Sequence, residues 1–375
     1  MTALPSDVRV ALVHDYLNQM GGAEQVVEVF HELFPQAPLF VSVYDRAAMP
    51  DAFRTMDIRT SFMQRISPKR SISYKLLPLF PVAFERFDLR GYDLVLSSTT
   101  TFAKGVLTRP DTCHVCYCNT PFRYLWMYQE YLEHERVGRS MEAALSALAV
   151  PLRVWDYAAA QRVDHFLAGS NNAARRIRKF YRRDAEVLHS PVEAATMPLG
   201  QGPGDYYLVA GRHQPYKRID LAIAACNQLQ RRLVVTGSGP ETARLRALAG
   251  PTVEFAGHVD RSSLRLLFAG CRALLWPGEE DYGIAPVEAQ AAGRPVIALG
   301  RGGVLETVQD GITGVFFRDQ TVEAVTAAIR RADETVFDAA AIRAHALQFD
   351  TAAFKEKLVA TLGRLLAEHQ LGPCR

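Results

Sequence analysis

The chain has little of what marks several protein classes. Its 375 residues include only six cysteines, three of them crowded as Cys113, Cys116 and Cys118. That is not the evenly spaced framework of a small disulfide-held scaffold, and it fits a reducing compartment. No second Cys/His group stands at zinc spacing to complete a tetrahedral set. The three therefore read as small apolar residues of a buried strand, and no metal is expected. Met1 to Asp7 lacks an apolar core behind a basic start, so the expected location is cytoplasmic. The longest nearly uncharged apolar stretch, Ala143 to Leu152, falls far short of the ~20 residues that cross a bilayer. Net charge is small at +3 and no strong basic stripe is present, so nucleic acid is not an expected partner. A complete dinucleotide fingerprint is also missing, since neither Gly21-Gly22 nor Gly237-Ser238-Gly239 supplies it. That weighs against an NAD-dependent oxidoreductase.

What is present suffices for two cores. Hydrophobic residues make up 49% of the chain, and its length exceeds the ~250–300 residues at which single cores stop growing. Val8 to His14 reads as a buried strand, Gly21-Gly22 as a break, and Ala23 to Phe34 as a helix spaced by Val26, Val27, Phe30 and Leu33. Further strands are expected at Leu94 to Leu96, His114 to Cys118 and His165 to Ala168. The richest turn cluster, Met197 to Asp205, suggests a linker. Beyond it short apolar runs alternate with helices: Tyr206 to Ala210, Leu233 to Thr236, Val253 to Ala256, Ala273 to Trp276, Pro295 to Leu299 and Val315 to Phe317. Such runs indicate a parallel sheet covered on both faces, with ligands at the carboxyl ends of the strands. The expected division is residues 1–196, a linker at 197–205, a second domain at 206–346 and a returning segment at 347–375.

Four loops at those carboxyl ends carry groups that a phosphorylated ligand would use. Gly211 to Arg218 brings Arg212 and Lys217, which either form a solvated basic helix start or neutralise a diphosphate and stabilise it as a leaving group. Cations at a helix N-terminus oppose its dipole, so this arrangement asks for an anion. Thr236-Gly-Ser-Gly-Pro240 is either a plain tight turn or a place where a ligand nears the backbone at Ser238 and Gly239. His258 and Val259 could offer main-chain groups to a base. Pro277 to Glu288 leads from a strand into a helix for which Pro286 suits the first position, placing Glu288 in the first turn and Glu280 in the loop. Tyr282, Gly283 and Ile284 then form an anion-ready helix start. Glu288 is either an acid favoured by the dipole or a ligand to hydroxyls. Ala285, at the expected cap, cannot complete a capping box.

These residues resemble the retaining glycosyltransferases of group 1, also called family 4, which have the GT-B fold. The resemblance rests on Glu280-x7-Glu288, Arg212-x4-Lys217, Gly21-Gly-Ala-Glu24, Asn171, Ser190-Pro-Val-Glu193, Gly293-Arg-Pro-Val296 and Gly302-Gly303, and it runs over nearly the whole chain. It implies an α/β chain of two Rossmann-like, doubly wound domains with an interdomain cleft, and a C-terminal helix, Phe349 to Glu368, that crosses back to the first domain. It further implies Arg212 and Lys217 on the donor diphosphate, Glu288 on the ribose, and Glu280 with Gly283 near the transferred sugar. Gly21 and Gly22 would meet the phosphates or the acceptor. No cofactor is implied, because the nucleotide-sugar is a substrate and the cations and helix dipole replace a metal. Retention is commonly explained by same-face attack, so the paired carboxylates of a glycoside hydrolase are not sought. One departure stands out: the nearest patterns carry a histidine where Asn119-Thr-Pro-Phe-Arg-Tyr124 begins with asparagine, which cannot ionise. His114 lies roughly 16 Å down the strand and reads as structural.

The donor suggested by analogy is GDP-mannose, and the acceptor a saccharide or polyprenyl-linked saccharide. Residues 59–87 mix Arg65, Lys69, Arg70 and Lys75 with Phe62, Met63, Ile66, Leu76, Leu77, Leu79 and Phe80. This suits either an anionic membrane face or an ordinary helix pair with solvated lysines. The competing functions are a GT-B nucleotide-sugar epimerase or phosphorylase, and a sugar-nucleotide-binding scaffold without turnover.

Overall fold

The computed structural model describes residues 5, 7–66, 76–127, 139–202 and 204–371. The chain forms two compact units, Met1–Pro191 with Phe354–Arg375, and Val192–Ala353.

The first unit is built on seven strands: β1 Val10–His14, β2 Leu39–Val41, β3 Ile58–Thr60, β4 Leu94–Thr99, β5 Cys113–Cys118, β6 His165–Ala168 and β7 Ala185–Val187. They pair in parallel in the order β3-β2-β1-β4-β5-β6-β7. The alternation of side chains along each strand supplies apolar residues to both faces of the sheet. Leu12, Leu94, Leu96, Cys113, Val115 and Tyr117 face the helix Gly22–Leu33 and the terminal helix Thr351–Leu371, whose Phe354, Leu358 and Leu362 join that cluster. Ala11, Val13 and Val95 face the other way, onto Phe80, Phe84 and Phe102. Each fully buried leucine here contributes roughly 2 kcal/mol. The same alternation decides the cysteine run. Cys113 lies in the first cluster, whereas Cys116 and Cys118 lie in a third around Ile177 and Tyr181, so the three cannot converge on one ion.

The second unit has six parallel strands: β8 Tyr207–Ala210, β9 Leu233–Thr236, β10 Val253–Gly257, β11 Ala273–Trp276, β12 Val296–Leu299 and β13 Gly314–Phe317. Their order is β10-β9-β8-β11-β12-β13, so the strand order switches between neighbours β8 and β11. The loops leaving these two strands begin at Gly211 and Pro277. The turn-rich residues around 197–205 fall inside this unit: Met197 is buried in its core, and Arg343 donates to the Met197 carbonyl at 2.7 Å.

Of the mixed segment 59–87, Lys69, Arg70 and Lys75 lie outside the described residues. Met63, Leu77 and Phe80 are core residues of the first unit, so they present no outward apolar face, while Ile66 is exposed. Among the described residues, no helix is long and apolar enough to cross a membrane.

Candidate active site

In the second unit the loop after β8 turns at Gly211, with φ of 137°, and passes through a 3₁₀ turn, Pro215–Lys217. Lys217 Nζ lies 2.6 Å from Glu280 Oε1 and 4.7 Å from the centre of the Trp276 ring. A cation over an indole face with a carboxylate beside it is held by two attractions at once. A side chain at Gly211 would stand 2.9 Å from Nζ and displace the lysine.

Glu280 is positioned by its backbone. Its carbonyl accepts from the Gly303 amide at 2.8 Å, and a Cβ at Gly302 would lie 2.3 Å from that oxygen. Gly302-Gly303 therefore serves the Glu280 loop through close approach. Gly278 packs in the same way, with its Cβ position 2.6 Å from Lys217 Cα, so the two loops interlock at the switch point.

The helix after this loop is Ile284–Ala291, capped by Gly283 with φ of 87°. It starts two residues before the position that Pro286 suggested. The left-handed glycine opens the turn early, and proline fits the third position too because the amides of a first turn need no intrahelical partner. Glu288 thus falls beyond the first turn. It is partly buried, and removal from water pushes its carboxyl up to about 7, against the pull of Arg261 and Arg265. Those arginines both pair with Glu193, Arg261 at 2.7 Å. Tyr282 packs edge-on to Phe349 in the core, 6.3 Å between centres, and Ile284 is partly buried.

The Gly237-Ser-Gly239 turn approaches backbone, but that of its own unit. A Cβ at Gly237 would lie 2.1 Å from the Gly211 carbonyl oxygen, and one at Gly239 2.5 Å from that of His213. The Ser238 side chain is exposed, and its carbonyl accepts from His213 N at 3.0 Å. His213, not singled out from sequence, is buried and pins this turn to the next helix through Thr242 Oγ1 at 2.9 Å. Arg212 is exposed on the same loop. His258 and Val259 follow edge strand β10, two strands or about 10 Å from β8.

In the first unit, Gly21 is the extended N-cap of the helix Gly22–Leu33. Glu24, in that helix's first turn, reaches back to His14 at the end of β1, with Oε1 3.4 Å from Nε2. His14 Nδ1 lies 3.0 Å from the Ser98 carbonyl oxygen. Asn119 donates to Ser98 Oγ at 3.1 Å and to the Thr99 carbonyl at 3.3 Å. His14, Glu24, Ser98 and Asn119 therefore form one cluster at the carboxyl ends of β1, β4 and β5. Sequence reasoning missed His14 because it closes an apolar run and reads as the last residue of a buried strand. His114 is buried with Nε2 2.9 Å from Ser97 Oγ, and burial lowers it to about 4. Cys113, Asp164 and His369 place ligand atoms within 4.8 Å of one another, but at the amino end of β5, and Asp164 already accepts from the His114 amide at 2.8 Å.

Residues 204–334 match the family model described as "Glycosyl transferases group 1". D-inositol 3-phosphate glycosyltransferase of Mycobacterium leprae (strain Br4923) is 28% identical over 62% of this chain and 63% of its own length, so the match spans less than two thirds of that relative. The solved structure of Anabaena Alr3699/HepE, in complex with UDP and glucose, superposes with a TM-score of 0.69 at 17% identity, covering 95% of this chain and 99% of that one. Sucrose-phosphate synthase from Thermosynechococcus elongatus gives 0.74 at 18% identity, covering 96% and 99%. The chain has the GT-B fold of two Rossmann-like domains. Its second unit carries a group 1 glycosyltransferase domain.

Proposed function

We propose that the chain is a retaining glycosyltransferase that moves a hexose from a nucleotide-sugar to a saccharide or lipid-linked saccharide. The observation that carries this reading is the Lys217–Glu280 pair, held between two glycine-interlocked loops at the switch point of a parallel sheet. On donor binding, Lys217 and Arg212 take the diphosphate and stabilise the charge that grows on it as the glycosidic bond breaks. Glu280 and the Gly283 backbone hold the sugar, and Glu288 takes the ribose hydroxyls. Ser238, Gly239, His258, Val259, Tyr282 and Ile284 complete the donor side. Asn119, Gly21 and Gly22 in the first unit meet the acceptor or the phosphates.

The first donor to try is GDP-mannose; UDP-glucose is the second, because Anabaena HepE is solved with it. A polyprenyl-linked acceptor would bring the protein to the cytoplasmic face of a membrane. A thermal-shift panel of GDP-, UDP- and ADP-sugars on the wild type and Glu288→Ala tests the reading, because a ligand bound only by the native state raises Tm. A shift for one base, lost in the variant, supports it. No shift at millimolar ligand moves the non-catalytic scaffold reading, which Asn119 in place of histidine favours, to first place. Product analysis without acceptor separates a transferase from an epimerase or phosphorylase.

A further inference from the structure

Among the described residues, one group brings three different metal-donor types together. Cys113 Sγ, a ring nitrogen of His369 and a carboxylate oxygen of Asp164 all lie within 4.8 Å of one another. They come from three elements of the first unit. Cys113 opens β5 and is buried on the face that the terminal helix covers. Asp164 directly precedes β6, which pairs with β5 through Val115 and His165. His369 stands in the last turn of the helix Thr351–Leu371. The helix dipole alone favours a histidine there, but it does not account for a thiol and a carboxylate converging on the same ring. Asp164 is braced from behind, as metal-bound carboxylates usually are. Its Oδ2 accepts from the His114 amide at 2.8 Å and its carbonyl from Arg183 Nη2 at 2.8 Å, while Oδ1 accepts no hydrogen bond among the described residues. His165 points to the same face as Cys113, since Leu167 two residues on joins the same cluster. The charges of Asp164, Glu368 and His369 all act on its ring. Arg364, a cation that acts on it too, is engaged by Glu186 and Glu368.

We propose that Cys113, Asp164 and His369 hold a zinc ion, with His165 as the fourth donor, and that the ion staples the end of the terminal helix to β5 and β6. Sulfur, imidazole and carboxylate together fit zinc, whereas magnesium and calcium take shells of oxygen. On binding, the ion displaces the thiol proton to water. The thiolate and the carboxylate then cancel its two positive charges, so the loaded site carries no net charge into the fold. Because the donors meet only through strand pairing and the return of the last helix, no local Cys/His spacing announces them. The site lies at the amino end of β5, roughly 20 Å along the strand from Asn119. Its role is therefore structural and stands apart from the proposed transfer reaction.

The test uses the full chain, stripped with EDTA and titrated with zinc or with cobalt(II) as a spectroscopic probe. Calorimetry should show one zinc per chain with Kd below about 1 μM. Zinc should raise Tm, and EDTA should reverse the rise. Cobalt should give a thiolate-to-metal charge-transfer band that Cys113→Ser erases. His369 is only partly buried near the helix end, so His369→Ala keeps the test independent of core packing. That variant should keep the metal-free Tm of wild type but weaken zinc by about 100-fold or more. His165→Ala should weaken it about tenfold, since water can take the fourth position. Cobalt binding without the charge-transfer band, a zinc Kd weaker than about 0.1 mM, or undiminished zinc binding by His369→Ala overturns the proposal.

Discussion

Arg261 Nη2 lies 2.7 Å from Glu193 Oε1, and the same arginine draws on the carboxyl of Glu288. Glu193 therefore competes with Glu288 for the positive charge of Arg261 and Arg265. With those guanidiniums engaged, burial dominates at Glu288.

This gives stability a pH signature. With its carboxyl raised from 4.5 to about 7, Glu288 binds a proton more tightly in the fold than in the unfolded chain. Folding loses stability as pH rises between those values, is unpenalised below them, and carries the whole penalty above. The Tm of the wild type relative to Glu288→Gln should fall from pH 4.5 to 7 and then level. A difference that stays flat from pH 5 to 8 would place the carboxyl in water.

At the neighbouring loop, the proposed function puts Lys217 on the leaving diphosphate, and on that reading Lys217→Ala should lower transfer activity by about 10²-fold or more, because the cation would act where charge develops. The variant also strands Glu280, whose side chain is 21% exposed, so stability should fall by only about 1 kcal/mol. Lys217→Ala with Glu280→Gln should recover that stability in urea unfolding without recovering activity. Recovery of both would make the pair structural alone.

The parts of the fold legible in sequence were those whose cause is local. Leu233 to Thr236, Ala273 to Trp276 and His165 to Ala168 are apolar but for Thr236 and His165 because helices cover both faces, and the structure gives strands with these bounds. Leu39–Val41, Ile58–Thr60 and Ala185–Val187 escaped notice, since three residues carry no readable period and pairing with longer neighbours makes them strands. Lys217 and Glu280 were found because each follows a legible strand, but their 2.6 Å contact depends on β8 and β11 being neighbours. The His14 partners lie 10 and 84 residues away, and no local pattern joins them. Pro286 misled by two positions because a left-handed glycine, not the proline, starts that helix.

Three loop glycines separate close approach from mere flexibility. Gly237→Ala must accept both a φ of 95° and a Cβ 2.1 Å from a carbonyl oxygen, so it should lose more than about 2 kcal/mol in urea unfolding. Gly311→Ala, with φ of 78° but open space around it, should lose about 1–2 kcal/mol from backbone strain alone. Gly91→Ala, with neither constraint, should be silent. Equal losses at Gly237 and Gly311 would mean the β9 turn does not pack on Gly211.

The thiols make a chemical prediction. Cys113, Cys116, Cys118, Cys226 and Cys271 are free and buried, and burial pushes Cys113, Cys116, Cys226 and Cys271 up to about 12 and Cys118 well above its ordinary value. Thiolate is the reactive form, so none of the five should alkylate at pH 8 within an hour in native protein, and all should after denaturation. Mass mapping of iodoacetamide adducts reads this directly. Rapid native labelling at Cys113 would mean that the terminal helix leaves its place beside β5.

Deep in the first unit, Lys104 pairs with Asp156 at 1% and 0% side-chain exposure, and Asp156 also accepts from Trp126 Nε1 at 2.7 Å. The ammonium donates further to the Thr101 carbonyl at 2.6 Å and sits 5.3 Å from the centre of the Tyr181 ring. Taking either charge from water is expensive, and the attraction between them offsets that only while both are present. Asp156→Ala should therefore lose about 3–5 kcal/mol, because it leaves the ammonium uncompensated among Tyr181 and its apolar neighbours. Lys104→Met with Asp156→Leu removes both charges and conserves bulk, so it should unfold within about 2 kcal/mol of wild type while freeing the Trp126 indole. Urea unfolding with Trp126 fluorescence reads both effects. A double variant as unstable as Asp156→Ala would show that the indole and Thr101 bonds, more than the ion pair, hold this corner of the fold.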